Sequence, residues 1–206
     1  MILGIDTSNY TTSAALYDAE KGEIIQRKKL LPVKEGELGL RQSDAVFAHV
    51  KQLGGIVEEL FNKNKYDITA IGVSTRPRDI EGSYMPCFLV GDMVTKTVSS
   101  VMNVCRYEFS HQQGHIAAAL FSANRLDLLG EKFIAFHLSG GTTEALLVTP
   151  DSERIIKCEK IAGSSDLKAG QAVDRVGVML GLPFPAGKYL EELALSSTAK
   201  FKIKPT

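Results

Sequence analysis

The chain has 206 residues, 44% of them hydrophobic and 23% charged, an ordinary globular composition with room for one large core or two modest lobes. The chain has 24 basic residues (lysine and arginine) and 24 acidic residues (aspartate and glutamate), so its formal net charge is zero. A zero net charge argues against nucleic-acid binding through a wholly basic surface, but a local basic patch stays possible. The three cysteines form no CxxC pair, and the N-terminus lacks the pattern of a signal peptide, so we expect a cytoplasmic protein. No run of about 18 apolar residues occurs, so we expect no membrane span.

The first half of the chain predicts an α/β lobe. Apolar runs separated by turn residues predict three strands in a meander, followed by a helix, a strand, a helix and a strand. In chain order, the predicted strands are 2–5, 13–17, 23–31, 68–74 and 104–109, the predicted helices are 43–62 and 86–102, and a loop is predicted at 32–39. In the first helix, the spacing of the apolar residues indicates one buried face; these residues are Val46, Val50, Leu53, Val57 and Leu60. We therefore expect residues 1–108 to form an N-terminal lobe.

The second half repeats the opening pattern of strand, polar turn, strand and strand. Its predicted elements are the strands 132–138, 144–149 and 154–161 and the helices 167–180 and 188–195. The two further strands and the helix of the first lobe have no counterpart, so residues 109–206 predict a partial second lobe, either in a piece of a longer chain or in a protein that has lost half a lobe. A partial lobe leaves a sheet edge and an apolar face uncovered, which predicts dimerisation or instability.

Two of the four histidines, His111 and His115, lie four residues apart, just before an apolar run at 116–121 that favours a helix. Residues at this spacing lie on one face of a helix, so the two imidazoles can bind one metal ion. Nitrogen ligands of this kind suit zinc or iron(II). The alternative is a pair of polar residues on an exposed helical turn.

Each lobe opens with a polar turn between two apolar strands. The first turn contains Asp6, Thr7 and Ser8, and the second contains Ser139, Gly140 and Gly141. Glycines let backbone N–H groups approach a phosphate, hydroxyls add donors, and an aspartate on the facing turn can hold a divalent cation. Singly, each turn is also explained as an ordinary hairpin. As a pair that opens equivalent lobes, the turns predict a nucleotide cleft between the lobes.

Four motifs follow one another in a fixed order along the chain. They are His111-x-x-x-His115, Ser139-Gly140-Gly141-Thr142-Thr143, Ala169-Gly170-Gln171-Ala172-Val173-Asp174 and Leu180-Gly181-Leu182-Pro183-Phe184-Pro185-Ala186-Gly187. Their order and spacing resemble the tRNA threonylcarbamoyladenosine transferase family, also called glycoproteases, O-sialoglycoprotein endopeptidases or peptidase family M22. The resemblance covers essentially the whole chain. It implies the α/β fold of the superfamily of actin, sugar kinases and heat-shock chaperones (the ASKHA fold), with duplicated lobes of which the second is incomplete.

The resemblance also implies an activity. Enzymes of the family transfer a threonylcarbamoyl group from threonylcarbamoyl-AMP to adenosine 37 of tRNA. His111 and His115, with a distant aspartate, would hold one iron or zinc ion that polarises the carbamoyl carbonyl as a Lewis acid. The implied nucleotide-binding residues, for ATP or threonylcarbamoyl-AMP, are His137, Leu138, Ser139, Gly140, Gly141, Asp174 and Gly187. The implied partners are tRNA and the related ASKHA-fold and ATPase subunits of a modification complex, and a homodimer is a further option.

The sequence departs from the family pattern at several places. The first turn has lost two acidic residues of the family's Glu-Thr-Ser-Cys-Asp-Glu-Thr, and Thr142 replaces the usual histidine or asparagine. Arg76-Pro77-Arg78 replaces Gly-Pro-Gly; the two arginines either bind phosphate or RNA or cap a solvated loop. The family's third metal ligand and its Asn-Gly-Gly motif belong to a C-terminal segment that these 206 residues do not include. Two histidines without the aspartate predict a weakly held metal.

Two other functions compete with the transferase. A catalytically silent paralogue would act as a nucleotide-binding or dimerising scaffold of the modification complex, and the chain length and the Asp-Thr-Ser opening at residue 6 fit this role, whereas the histidine pair favours the transferase. A metalloprotease is less favoured, because the sequence has no HExxH motif and no glutamate between His111 and His115 to act as a base.

Overall fold

The structure, a computed structural model, describes residues 1–8, 10–32, 40–62 and 64–202. Most of the predicted loop at 32–39 lies outside these residues. The chain divides into two compact units, Met1–Lys132 with Val148–Glu159 and Phe133–Leu147 with Lys160–Thr206. In the described ranges, every helix is too short or too polar to cross a membrane.

A five-stranded sheet forms the centre of the first unit. Its strands are β1 (Ile2–Asp6), β2 (Thr11–Asp18), β3 (Glu23–Leu30), β4 (Ala70–Arg76) and β5 (Cys105–Ser110), in the spatial order β3-β2-β1-β4-β5. The first three strands form the predicted antiparallel meander, whereas β4 runs parallel to both β1 and β5. The carboxyl ends of β1, β4 and β5 therefore meet at one edge of the sheet.

In its described residues, this unit has the α-helices α1 (Gln42–Phe61), α2 (Phe88–Met102) and α3 (His111–Ser122), and a short 3-10 helix at Leu126–Gly130. Helix α1 is confirmed, but its buried face includes Ala45, His49 and Ile56, and Val50 is 58% exposed. The buried face of α1 is therefore rotated relative to the predicted one. Small residues and His49, rather than Val50, point into the buried interior of the unit. Helix α2 approaches β1 closely at Gly91, where a Cβ atom would lie 3.1 Å from the Thr7 hydroxyl oxygen.

A second sheet has three strands in the order β6-β7-β8. They are β6 (Phe133–Leu138), β7 (Thr143–Asp151) and β8 (Ile155–Gly163), each confirmed within two residues of its predicted bounds. Two helices follow, α4 (Ala169–Met179) and α5 (Gly187–Ser196). They pack closely at Gly177, where a Cβ atom would lie 2.0 Å from the Cβ of Ala186.

The two compact units differ from the predicted lobes 1–108 and 109–206. The tip of the β7–β8 hairpin belongs to the first unit, because the Gln113 side-chain amide donates a hydrogen bond to the Ile156 carbonyl and Asp79 Oδ2 accepts the Cys158 N–H at 3.3 Å. These bonds tie the hairpin to α3 and to the loop after β4. The predicted division at residue 108 concerns two duplicated lobes, which the compact units do not test. It therefore stays a prediction.

Candidate functional site

The histidine pair lies on the first turns of α3, directly after β5. The Ser110 hydroxyl accepts a hydrogen bond from the Gln113 backbone N–H at 3.2 Å, and the Gln113 side-chain oxygen accepts the Ser110 N–H at 2.7 Å. This capping box makes His111 the first residue of the helix. His115 follows one turn later on the same face, and the Nε2 atoms of His111 and His115 lie 2.8 Å apart.

Asp6 approaches the same histidine from the end of β1. Its Oδ2 atom lies 2.9 Å from His111 Nδ1, and its Oδ1 atom accepts the Ser8 N–H at 2.8 Å. Burial by itself would raise the pKa of Asp6. The hydrogen bond and the charge of His111 outweigh this effect, and with further hydrogen bonds from Ser74 and Ser8 the pKa falls to about 2. Asp6 is therefore an anion that contacts the side of His111 opposite to His115.

The two histidines fit part of a metal site. Both present Nε2 to the same point, and imidazole nitrogen is a good ligand for zinc or iron(II). Across residues 1–8, 10–32, 40–62 and 64–202, no group of three His, Cys, Asp or Glu side chains could hold a metal ion. Asp6 is near, but its oxygen serves the Nδ1 atom of His111. His111 and His115 would thus account for two ligands of the predicted set and leave the third unassigned.

The rest of the first turn is part of the fold. Thr7 is completely buried, and its hydroxyl donates to the Cys87 carbonyl at 2.9 Å and accepts the Gly91 N–H at 3.1 Å. Ser8 is also buried. Of the residues predicted for a phosphate or cation turn, Asp6 is the one whose side chain reaches the histidine pair, while Thr7 joins β1 to α2.

The Ser139-Gly140-Gly141 turn, which connects β6 and β7, lies against the beginning of α4. The Ser139 carbonyl accepts the Gly170 N–H at 3.1 Å, and the Thr143 hydroxyl accepts the Ala169 N–H at 2.7 Å. The first N–H groups of α4 are thus used by the turn. Gly140 and Gly141 are exposed, and a Cβ atom on either would meet nothing within 4 Å, so their backbone is accessible to a ligand.

Asp174 lies close to Gly187, at the turn between α4 and α5. Asp174 Oδ1 accepts the Ala186 N–H at 2.8 Å, directly before Gly187 begins α5. Asp174 Oδ1 therefore holds the turn between α4 and α5. The other carboxylate oxygen, Oδ2, is not used in this bond. His137 and Leu138 end β6; His137 is half-buried and Leu138 is exposed.

One arginine of the Arg-Pro-Arg segment, Arg76, has a structural role. Arg76 Nη2 lies 3.0 Å from Asp79 Oδ1, and the same oxygen lies 3.1 Å from Arg154 Nη1. The Asp79 side chain is 1% exposed. Because a buried carboxylate needs partners of this kind, the loop-capping interpretation explains Arg76.

The contact between Asp6 and His111 is the feature of the candidate site that sequence reasoning missed. Asp6 was assigned to a phosphate or cation turn, and the two residues are separated by 105 positions. The available signal was topological: Asp6 ends β1 and His111 follows β5, and strands joined through helices in an α/β protein commonly run parallel with their carboxyl ends together.

Comparison with known sequences identifies the family. The model of the family described as TsaD, tRNA N6-adenosine threonylcarbamoyltransferase, matches residues 25–206. The tRNA N6-adenosine threonylcarbamoyltransferase of Brucella canis is 29% identical over 207 residues, which cover 97% of this chain and 54% of the relative. The chain thus spans about half the length of this curated relative.

Comparison with solved structures confirms the predicted ASKHA fold class. The Lmo2764 protein of Listeria monocytogenes, a candidate N-acetylmannosamine kinase, matches with a TM-score of 0.50 at 11% identity, over 96% of this chain and 71% of its own. YeaZ from Pseudomonas aeruginosa is a weaker match, with a TM-score of 0.48 at 14% identity over 82% of this chain and 67% of its own, and the fold assignment does not depend on it. Because the family model matches residues 25–206, most of its length, this chain belongs to the tRNA N6-adenosine threonylcarbamoyltransferase (TsaD) family.

Proposed function

We propose that this chain takes part in the transfer of a threonylcarbamoyl group from threonylcarbamoyl-AMP to adenosine 37 of tRNA, with an iron or zinc ion bound by His111 and His115. The observation that supports the proposal best is the arrangement of the two imidazoles, whose Nε2 atoms lie 2.8 Å apart at the carboxyl edge of the parallel strands. Membership of the TsaD family supplies the reaction class.

The residues of this chain have distinct roles in the proposal. The metal, when bound, acts as a Lewis acid toward the carbamoyl carbonyl. His111 and His115 bind it, and a third ligand comes from outside the described residues. The exposed turn at Gly140 and Gly141 faces the phosphate of the adenylate.

The nucleoside end of the adenylate is assigned to the α4–α5 turn. Asp174 accepts the ribose hydroxyls with the oxygen that does not bond Ala186, while the Gly187 backbone lies beside the nucleoside. His137 and Leu138, with Ser139, line the same end of β6. ATP is the second ligand that this set of groups would accept.

The proposed setting is the cytoplasm, where the reaction has its tRNA substrate. Cys105 and Cys158 are free thiols, and free thiols are common in proteins of a reducing compartment. The proposed protein partners are a related ASKHA-fold subunit and an ATPase subunit, with a second copy of this chain as the other candidate.

A catalytically silent scaffold is the second candidate function. The observation that favours it is the absence of a three-ligand metal group among the residues that the structure describes. A scaffold would retain nucleotide binding at Gly140 and Asp174 without transferring the threonylcarbamoyl group.

Metal analysis and a transfer assay separate the two functions. We expect the purified chain to bind close to one equivalent of zinc or iron(II), and the double variant His111→Ala with His115→Ala to lose it. His137→Asn is the matched histidine control and should retain the metal. Transfer of labelled threonylcarbamoyl to unmodified tRNA, lost in the double variant, would support the transferase. Nucleotide binding by calorimetry without metal or transfer would establish the scaffold instead.

A further inference from the structure

Asp6 has a geometry that determines which nitrogen of His111 carries a proton. One carboxylate oxygen accepts the Ser8 N–H at 2.8 Å, so the other oxygen is directed at His111 Nδ1, 2.9 Å away. An ionised carboxylate only accepts hydrogen bonds, so Nδ1 is the donor of this contact. When the His111 ring carries a single proton, its lone pair therefore lies on Nε2.

This assignment fixes the rest of the pair. Because His111 Nε2 is the acceptor, the 2.8 Å contact with His115 Nε2 requires His115 to donate when no metal is bound. To hold a metal ion together with His111, His115 would have to offer the lone pair of Nε2, so the proton of its neutral ring would have to lie on Nδ1. His111 would bind through Nε2 without such a change.

We propose that Asp6 is a positioning residue that prepares His111 to bind a metal ion by holding the Nδ1 proton and the plane of the ring. The inference rests on the proposed function for the identity of the ligand, and it goes beyond it by assigning Asp6 a task other than direct ligation. Metal-binding histidines commonly donate their second N–H to a carboxylate, and the loss of such a partner lowers metal affinity by about 10- to 100-fold.

The variants follow from the two oxygens of Asp6. In Asp6→Asn, the single amide oxygen can serve Ser8 or His111 but not both, so the negative charge and one bond are lost. Asp6→Glu retains the negative charge and both carboxylate oxygens. Asp18→Asn is the control: Asp18 Oδ1 accepts the backbone N–H groups of Glu20 and Lys21 and lies in a turn without a histidine.

The first measurement is zinc affinity, by competition with a chromophoric chelator. We expect Asp6→Asn to bind zinc about 10- to 100-fold more weakly than the unmodified chain, Asp6→Glu to recover most of the loss and Asp18→Asn to match the unmodified chain. If Asp6→Asn binds zinc as tightly as the unmodified chain, the positioning role is wrong while the proposed function stands.

The second measurement is the tautomer of His111 in the metal-free protein, from the ¹⁵N chemical shifts of the imidazole. We expect Nδ1–H in the unmodified chain and in Asp6→Glu, and a shift toward Nε2–H in Asp6→Asn. A direct ligand role for Asp6 would lower zinc affinity without altering this tautomer. If the unmodified chain binds no zinc, the metal part of the proposed function fails, and the tautomer alone decides the positioning role: Nε2–H in the unmodified chain would overturn it.

Discussion

Gly170 and Gly140 are in direct backbone contact, with no room for a side chain between them. A Cβ atom on Gly170 would lie 2.6 Å from the Gly140 nitrogen and 2.8 Å from the Ser139 carbonyl carbon. The obstacles are backbone atoms, which cannot rotate away. The glycine of α4 therefore sets the position of the turn that is predicted to hold the adenylate phosphate.

We expect Gly170→Ala to displace the Ser139–Gly141 turn. Alanine normally favours a helix over glycine by about 0.5–1 kcal/mol, so a loss of about 1–3 kcal/mol in the free energy of unfolding would show that the clash dominates. Urea unfolding and nucleotide calorimetry measure the two effects. Gly55→Ala in α1 is the control, because its Cβ would meet nothing within 4 Å and should leave stability unchanged or raised. Equal behaviour of the two variants would contradict the clash.

The two oxygens of Asp174 lead to a second prediction, which separates structure from ligand binding. Asp174→Ala removes the acceptor of the Ala186 N–H, and we expect a loss of about 1 kcal/mol in the free energy of unfolding, as for a lost helix cap. Asp174→Asn retains an acceptor for that bond but removes the charge, so we expect near-normal stability with about tenfold weaker adenylate binding, measured by calorimetry. Unchanged adenylate affinity in Asp174→Asn would remove Asp174 from the proposed site.

The strands and helices could be predicted because each is encoded by residues that are near in sequence. Apolar runs closed by turn residues located β6 and β7, and the order of the first three strands followed from the short turns between them. The buried face of α1 could not be predicted accurately, since the choice between Val50 and His49 depends on what the sheet presents to the helix.

The candidate site was predictable to different degrees in its two parts. The spacing of His111 and His115 placed them on one helical face, because four residues make about one turn. Asp6 joined them only through the parallel pairing of β1 with β4 and of β4 with β5, a long-range arrangement that local pattern does not determine. Thr7 looked like a turn hydroxyl, yet its burial against α2 is a consequence of helix packing.

An apolar stripe on β6 leads to a third prediction, self-association. Ile134 and Phe136 are 55% and 72% exposed and lie on the same side of this strand, which is at one end of the three-stranded order. Edge strands with exposed apolar side chains tend to pair with other chains. We expect a concentration-dependent dimer in light scattering, and weaker association, by about tenfold, in Ile134→Thr with Phe136→Thr.

The control for self-association is another exposed apolar residue. Leu195 of α5 is 81% exposed, so Leu195→Gln removes a comparable apolar surface away from β6, and we expect it to leave the dimer unchanged. A chain that stays monomeric at all concentrations would contradict the prediction, as would a dimer that the β6 variant does not weaken.

Buried His49 leads to the fourth prediction, a loss of stability at mildly acidic pH. Its Nδ1 atom bonds the Thr12 hydroxyl at 2.8 Å, and its buried Nε2 atom has no hydrogen-bond partner in the described part of the chain. Burial lowers the pKa of His49, and the Asp6 charge opposes this only in part. The folded state therefore prefers the neutral ring, and the contribution of His49 to the free energy of unfolding is lost as pH falls below about 6.5, the pKa of histidine in an unfolded chain.

Comparing the unmodified chain with His49→Asn isolates this effect. Asparagine can still donate to Thr12 but does not titrate, so the variant is less stable at pH 7.5 and its stability is flatter with pH. Between pH 7.5 and 5.5, we expect the difference in the free energy of unfolding between the two proteins to shrink by about 1 kcal/mol. The contribution of Asp6 is lost only at lower pH, toward its pKa of about 2, and is common to both proteins. Parallel curves over this interval would mean that His49 does not resist protonation in the folded state.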